Sequence, residues 1–322
     1  MTVKFLSRFV DLQPPTSDFR QDILAGLSGP QKKTLPKYFY NAEGSRIFEQ
    51  ICDLPSYYLT RTECEILTGY KSKLRDILPA NATVIEFGSG NNKKIKLLAA
   101  AVGTIRSYVA VDISRNYLIE SAEAYARANP NLVVTAICAD FNYPIDLDEI
   151  LGVGPRIGFF PGSTIGNLSP NDAIVFLRNI ATVLGPGAFF VIGVDLEKDF
   201  QTLIAAYDDV EGLTAKFNLN LLKHINEQLN GDFDIRKFQH RAIYKENPTR
   251  IEMHLESRED QKVRIDDKIF HFFVGETIHT ENSYKYTIES FQYLAISAGF
   301  LACAVMVDPE KLFSVHVLEV SR

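Results

Sequence analysis

Short apolar runs alternate with amphipathic segments through the middle of the chain. The apolar runs have the length of buried strands and span residues 83–87, 108–112, 133–139, 157–160 and 188–194. The segments between them have helical periodicity and span residues 93–102, 114–128 and 170–184. Strands that alternate with helices predict a mostly parallel sheet covered on both faces, which is the α/β class.

The pattern is different on both sides of this region. Residues 1–61 contain several prolines and no alternation, so they predict short helices and loops. The segment Thr60-Arg-Thr-Glu63 has the spacing of a capping box and predicts a helix that runs from there to about Ile77. Further along, a helical stretch over 199–229 is followed by strand-like alternation over 241–280.

These changes predict two domains. The first takes 62–198 and 287–322, and it contains a seven-stranded sheet to which the last two strands return as a hairpin. The second is an α+β domain that takes 1–61 and 199–286. Ligands of open α/β sheets bind outside the carboxyl ends of the strands, so we expect the substrate there, between the two domains.

Composition and charge narrow the range of partners. The chain has 322 residues, with 34 Lys and Arg against 40 Asp and Glu, and a net charge of −6. Since a negative surface repels polyphosphates, nucleic acid is not expected as a partner. No apolar stretch has the length of a membrane span, and the four cysteines form no CxxC pair. We therefore expect a cytoplasmic monomer that binds no membrane.

Metal and covalent chemistry have no clear candidates in the sequence. The six histidines show neither an HExxH pattern nor another paired ligand spacing, so no metal is expected. Neither a GxSxG elbow nor a cysteine nucleophile signature is present, so no covalent intermediate is expected.

A glycine turn follows the first central strand. Val84-Ile-Glu-Phe-Gly-Ser-Gly90 places Gly88 and Gly90 where backbone can approach a ligand closely, just before a helix N-terminus. Asp112 ends the next strand, and a carboxylate there can accept both hydroxyls of an adenosine ribose. The pair predicts a nucleotide-like ligand, although a glycine turn used only for packing is the alternative.

Two details favour one such ligand. A nicotinamide dinucleotide fingerprint needs a third glycine where this chain has Lys93, which counts against an oxidoreductase. Glu86 lies in the strand before the turn, and a carboxylate there suits the positively charged methionine portion of S-adenosylmethionine. Asp140 and Phe141 end the third strand with an acceptor for the adenine amino group and an aromatic neighbour. Together these features resemble the class I methyltransferases, which have a Rossmann-like sheet.

A closer resemblance rests on eight further segments, which are Pro36-Lys-Tyr-Phe-Tyr40, Phe48-Glu-Gln-Ile51, Leu54-Pro-Ser-Tyr-Tyr-Leu-Thr-Arg-Thr-Glu63, Gly162-Ser-Thr-Ile-Gly-Asn167, Gly193-Val-Asp-Leu196, Ala206-Tyr-Asp-Asp209, Phe217-Asn-Leu-Asn220 and Gly275-Glu-Thr-Ile-His-Thr-Glu-Asn-Ser283. Together these segments resemble the histidine-specific N-methyltransferases of ergothioneine biosynthesis. The resemblance implies that methyl groups pass from S-adenosylmethionine to the α-amino nitrogen of L-histidine, three times, giving the betaine hercynine.

The resemblance also implies roles for individual residues. Asn167 and Tyr207 would hold the backbone end of the amino acid, with Asn167 among the catalytic residues. Glu281 and Ser283 would address the two imidazole nitrogens, and a pocket that satisfies both rejects side chains that lack them. Taken alone, Glu281 is more typical of a solvated charge at the end of a strand than of a ligand-binding residue.

Other pocket residues follow from the same resemblance. Tyr57 and Gly162 would line the substrate pocket, and Tyr40 would lie near the transferred methyl group as a second catalytic residue. Met253 is expected to face the pocket from a strand. For the tyrosines and the methionine, packing in the core is the competing interpretation.

A lysine completes the implied cofactor site. Lys94 would reach the cofactor carboxylate, with Lys93 as the competing candidate. A solvated helix face explains either lysine nearly as well.

Three other functions remain open at this stage. The first alternative is methylation of another amino acid such as tryptophan or tyrosine, and the second is a nicotinamide-dependent oxidoreductase. The chain can also be a module that binds S-adenosylmethionine without catalysis. The paired acid and hydroxyl at Glu281 and Ser283 favour histidine over the first of these.

Overall fold

The structure is a computed structural model and describes residues 5–12 and 17–321. The chain divides into two units. The first contains the described residues up to 14, together with 59–197 and 285–321, and the second contains those of 15–58 and 198–284.

An eight-stranded sheet forms the centre of the first unit. Its strands are β1 (Arg8–Asp11), β3 (Ala82–Phe87), β4 (Ile105–Asp112), β5 (Val133–Cys138), β6 (Arg156–Phe160), β7 (Phe189–Asp195), β13 (Phe300–Val307) and β14 (Phe313–Val320). Their order is β1-β5-β4-β3-β6-β7-β14-β13, and only the pairs that involve β14 are antiparallel. The predicted α/β class is confirmed, and the terminal hairpin returns to the sheet edge as expected.

Helices connect these strands, and an amphipathic helix buries its apolar stripe against a neighbouring element. They are α3 (Tyr58–Gly69), α4 (Lys71–Ile77), α5 (Lys93–Val102), α6 (Arg115–Ala128), α7 (Asp148–Leu151), α8 (Pro170–Leu184) and α11 (Ile288–Ser297). The start of α8 illustrates the local signal, since the Ser169 side chain accepts from the Asp172 N–H and Pro170 stands at the first helical position.

The second unit is a smaller α+β arrangement. Its strands are β2 (Lys32–Lys33), β8 (Phe238–Glu246), β9 (Thr249–Ser257), β10 (Gln261–Ile265), β11 (Lys268–Phe272) and β12 (Thr277–Tyr284). Four of them form a sheet with the order β2-β12-β9-β8, and β10 pairs with β11 in a separate hairpin. The helices are α1 (Ser17–Leu27), α2 (Ala42–Cys52), α9 (Phe200–Ala205) and α10 (Leu213–Leu229), and α10 packs against α2 and β8.

Three sequence predictions about the first unit are wrong. The sheet has eight strands rather than seven, because residues 8–11 pair in parallel with β5, so this part of 1–61 does not belong to the second domain. Thr60 and Glu63 form no capping box, since α3 begins at Tyr58 and both residues lie inside it. The expected continuous helix to Ile77 is also divided between α3 and α4 at Tyr70. None of the described helices is long and apolar enough to cross a membrane.

Candidate functional site

The strand order reverses beside β3, and the glycine turn lies at that point. From β3 the chain leads to β4 and β5 on one side and to β6 and β7 on the other. Such a reversal opens a crevice at the carboxyl ends of the strands. Gly88 has a φ of +75°, and a Cβ added at Gly90 would meet no atom within 4 Å, so this turn leaves room for a ligand.

Glu86 is a buried acid directly before that turn. Tyr108 donates a hydrogen bond to its Oε2, and the Tyr108 hydroxyl also lies 3.1 Å from Ser89 Oγ. Burial raises the pKa of Glu86 to about 7, against the opposing effects of the Tyr108 hydrogen bond and of Lys94. A carboxyl group balanced near neutrality gains its charge when a cation binds beside it.

Two further acids occupy the ends of neighbouring strands. Asp112 accepts from the Ser114 N–H at 2.7 Å, and burial raises its pKa to about 6. Asp140 follows β5, and its Oδ1 accepts from the Asn142 amide at 2.8 Å. The ring of Phe141 lies against the glycine turn, 3.7 Å from where a Cβ of Gly88 would stand. The predicted cofactor residues of these strands therefore lie together at the carboxyl ends of the strands.

Lys94 has a partner that the sequence did not reveal. Its Nζ lies 2.7 Å from Glu63 Oε2, and that oxygen also accepts from the Gly162 N–H at 2.8 Å. The Glu63 side chain is fully buried, and Lys93 is exposed. A buried acid inside a helix needs a charged partner, and Lys94 is that partner for Glu63. The capping-box interpretation did not predict this ion pair.

The loop after β6 carries Gly162 and Asn167. Gly162 has a φ of +83° and Ser163 a φ of 56°, and a 3-10 helix then runs from Thr164 to Asn167. Ser163 Oγ accepts from the Asp195 N–H at 2.9 Å, which ties this loop to the end of β7. Asp195 in turn forms a fully buried ion pair with Lys285, at 2.6 Å. The loop that carries Asn167 is therefore held in place by its hydrogen bond to the end of β7.

In the second unit, aromatic rings form a continuous row. Tyr40 meets Phe48 edge to face at 5.6 Å between ring centroids, Phe48 meets Tyr57 at 6.1 Å, and Tyr57 meets Tyr207 at 6.2 Å. Burial, followed by the nearby Tyr207, raises the pKa of Tyr57 well above its ordinary value. Its phenol therefore stays protonated at neutral pH.

A β-bulge in β12 places the polar residues of this unit. The register between β12 and β9 shifts between His279 and Glu281, so Thr280 and Glu281 are both buried although they are neighbours in sequence. A bulge inserts one unpaired residue and changes the direction of the next side chain. Glu281 consequently stands opposite Met253, and Ser283 Oγ lies 2.6 Å from the Tyr207 hydroxyl.

The sequence-predicted site residues fall into two groups, one in each unit. The first unit holds Glu86, Gly88, Gly90, Lys94, Asp112, Asp140, Phe141, Gly162 and Asn167. The second unit holds Tyr40, Tyr57, Tyr207, Met253, Glu281 and Ser283. Sequence reasoning missed Glu63 and Tyr108, which bond Lys94 and Glu86 directly.

One group of metal-capable side chains occurs among residues 5–12 and 17–321. Ligand atoms of Glu252, His254 and His279 lie within 4.8 Å of one another. The two imidazole rings stack at 4.7 Å and 12°, and Glu252 already accepts from Arg250 at 2.9 Å. Because a metal binds in the plane of an imidazole, two nearly parallel rings cannot both direct a nitrogen at one ion in this arrangement. The expected absence of a metal stays a prediction.

The amino-acid sequence is similar to those of several known proteins. A family model described as a histidine-specific, SAM-dependent methyltransferase matches residues 19–320. A histidine N-alpha-methyltransferase of Mycolicibacterium smegmatis is 37% identical over 310 residues, which are 94% of this chain and 95% of that protein. One of Mycobacterium tuberculosis is 40% identical over 285 residues, covering 87% and 88%. Ergothioneine biosynthesis protein 1 of Neurospora crassa is 32% identical over 305 residues, covering 88% of this chain and 32% of that protein.

Proposed function

The chain belongs to the family of histidine-specific, S-adenosylmethionine-dependent methyltransferases, and from this premise we propose that it methylates the α-amino nitrogen of L-histidine. Three transfers to the same nitrogen give the trimethylated betaine hercynine, the first step of ergothioneine biosynthesis. A relative named for ergothioneine biosynthesis supports this assignment.

The observation that carries the choice of substrate is the bulge-directed pair on β12. Glu281 and Ser283 are both buried on the face where Tyr207 bonds Ser283. A carboxylate accepts from one imidazole nitrogen, and a hydroxyl donates to or accepts from the other. Met253 stands opposite Glu281 and supplies an apolar wall. We assign these four residues to recognition of the histidine substrate.

The carboxyl edge of the first sheet fits S-adenosylmethionine. The open space at Gly90 admits backbone contact, and three acids stand at successive strand ends. We assign Glu86 to the methionine ammonium, Asp112 to the ribose hydroxyls and Asp140, beside Phe141, to the adenine. We assign Lys94 to the cofactor carboxylate. The charge of this lysine is also paired with that of Glu63.

Catalysis then consists mainly of positioning. When bound, S-adenosylmethionine supplies a methyl group that is already activated by its sulfonium. The protein must present a neutral amine, because a protonated amine has no lone pair with which to attack. We assign this task to Asn167 and a tyrosine oxygen, which accept the N–H groups and orient the lone pair. Tyr40 and Tyr57 offer aromatic faces, which attract the methylated cation by about 0.5–2 kcal/mol.

Competition kinetics test the substrate. Histidine, tryptophan, tyrosine and phenylalanine are supplied together with S-adenosylmethionine, and the methylated products are counted. We expect histidine to exceed each of the others by at least about a hundredfold in kcat/KM, since none of the others carries a ring with two nitrogens that can pair with both Glu281 and Ser283. In Glu281→Ala this preference should collapse, while Glu256→Ala, which removes a β9 acid that pairs with Arg241 and has no assigned role in substrate recognition, should retain it. Comparable rates for all four amino acids in the unaltered enzyme would transfer the proposal to another substrate.

Location and assembly complete the proposal. None of the four cysteines forms a disulfide, which is typical of a reducing compartment, and we place the enzyme in the cytoplasm as a monomer.

A further inference from the structure

We infer that Asn218, His240 and Thr280 are positioning residues that set how the second unit binds its amino acid. None of the three has a role in the proposed function, on which this inference rests. Asn218 belongs to the segment Phe217-Asn-Leu-Asn220, and Thr280 is the bulged residue of β12. Together they connect three separate elements that carry the substrate-recognition residues.

The three side chains form one hydrogen-bonded chain. Thr280 Oγ1 lies 2.8 Å from Asn218 Oδ1 and 2.9 Å from the Met253 carbonyl oxygen. Asn218 Nδ2 lies 2.9 Å from His240 Nδ1 and 3.0 Å from the His254 carbonyl oxygen. His240 Nε2 lies 2.8 Å from the Tyr207 carbonyl oxygen. The chain therefore ends at the backbone of Tyr207 and at that of Met253.

The surrounding carbonyl groups fix the protons of His240 and Asn218 in this chain. The Tyr207 carbonyl can only accept, so His240 carries its proton on Nε2. The His254 carbonyl can also only accept, so the Asn218 NH2 group points toward it and toward the bare Nδ1 of His240. The single proton of the Thr280 hydroxyl is then shared between Asn218 Oδ1 and the Met253 carbonyl oxygen. Burial lowers the pKa of His240, which keeps the neutral form that this arrangement requires.

The bulge needs such an anchor. An extra residue in a strand loses its ladder partner, and its polar groups must be satisfied elsewhere. Thr280 is 1% exposed and Asn218 is fully buried, so water cannot replace either bond. Removing the Thr280 hydroxyl leaves Asn218 Oδ1 buried without a donor. The bulge can then relax, which turns Glu281 away from its position opposite Met253.

Steady-state kinetics of matched threonine variants test this inference. In Thr280→Val, which keeps the side-chain shape, we expect the KM for histidine to rise about 5- to 30-fold, as one lost buried hydrogen bond implies. The KM for S-adenosylmethionine should stay within twofold. Thr280→Ser, which keeps the hydroxyl, should restore the histidine KM to within about twofold of the unaltered enzyme.

The control is Thr277→Val on the same strand. The Thr277 side chain lies on the face of β12 opposite to that of Glu281, and its hydroxyl lies 3.1 Å from His254 Nδ1. It should leave both KM values unchanged. Equal histidine KM values in Thr280→Val and Thr277→Val would overturn the inference. If Thr280→Val does not fold, as judged by thermal denaturation, Thr280→Ala and Thr280→Ser supply the same comparison.

A double-variant cycle tests whether the connection runs through Asn218. Thr280 and His240 each bond the Asn218 amide. In Thr280→Val with His240→Phe, we expect the histidine KM to rise by at least threefold less than the product of the two single effects. Independent effects would overturn the inference while leaving the proposed function intact. An unaltered enzyme that does not methylate histidine would instead remove the proposed function, and this inference with it.

Discussion

At the residue scale, Glu86 and Asp112 are acids whose charge depends on pH near neutrality. Burial raises the pKa of Glu86 to about 7 and that of Asp112 to about 6. Both groups must be ionised in the proposed roles, Glu86 to attract an ammonium group and Asp112 to accept hydrogen bonds from two hydroxyl groups. Because both pKa values are raised, protonation and loss of these roles occur at a higher pH than for exposed acids.

Cofactor affinity should therefore fall as pH decreases through 7. Between pH 8 and pH 6, we expect the dissociation constant for S-adenosylhomocysteine to rise about tenfold from Glu86 alone, as a group with a pKa near 7 dictates. Below pH 6 protonation of Asp112 adds a second loss. Isothermal titration calorimetry over this range measures the effect.

Glu86→Gln is the control for this prediction. An amide cannot ionise, so the variant should bind more weakly at every pH, and its remaining pH dependence should move to the range near 6 where Asp112 titrates. An affinity for S-adenosylhomocysteine that is constant from pH 8 to pH 6 in the unaltered enzyme would contradict the role of Glu86.

At the element scale, the sequence predicts the strands and helices that depend on local interactions. Each of the central strands β3 to β7 contains an apolar run, and α8 begins at Pro170 with Ser169 as its N-cap, as its sequence indicates. The strand β1 was missed because four residues pair with β5, more than a hundred positions away, and no local signal accompanies such a contact.

The site was predicted unevenly for the same reason. Tyr207 and Ser283 were both singled out, and the structure brings their oxygens within 2.6 Å. The bulge at Thr280 was not predicted, because an extra residue in a strand changes neither composition nor periodicity enough to be seen. Glu63 was assigned to a helix cap, whereas its tertiary bonds to Lys94 and Gly162 decide its position.

Glu63 also explains a glycine in the middle of the sheet. Gly193 lies in β7, and a Cβ there would stand 2.9 Å from Glu63 Cδ and 3.0 Å from Phe313 Cε1. Gly193→Ala should therefore lower the free energy of unfolding by about 1–3 kcal/mol, as expected for overpacking. Urea denaturation measures this loss, since the surface exposed on unfolding stays the same.

Gly69→Ala is the matched control. A Cβ at Gly69, in α3, would meet no atom within 4 Å, so its free energy of unfolding should be unchanged or raised by up to about 1 kcal/mol. Equal stabilities of Gly193→Ala and Gly69→Ala would contradict the close packing of Glu63 on β7.

At the scale of the whole molecule, we propose that the two units carry different chemical tasks. The acids at the carboxyl ends of the first sheet suit a cationic nucleoside, and the aromatic row with the β12 pair of the second unit suits an imidazole-bearing amine. The loop from Gly162 to Asn167 belongs to the first unit. The central claim is that the chain methylates the α-amino nitrogen of histidine.

Mass spectrometry of histidine incubated with the enzyme and excess S-adenosylmethionine tests that claim most directly. Fragment ions locate the methyl groups, and S-adenosylhomocysteine is counted in the same sample. We predict that histidine gains one, two and finally three methyl groups, all on the α-amino nitrogen, with one S-adenosylhomocysteine formed for each. Unmodified histidine, or methyl groups on the imidazole ring, would contradict the account.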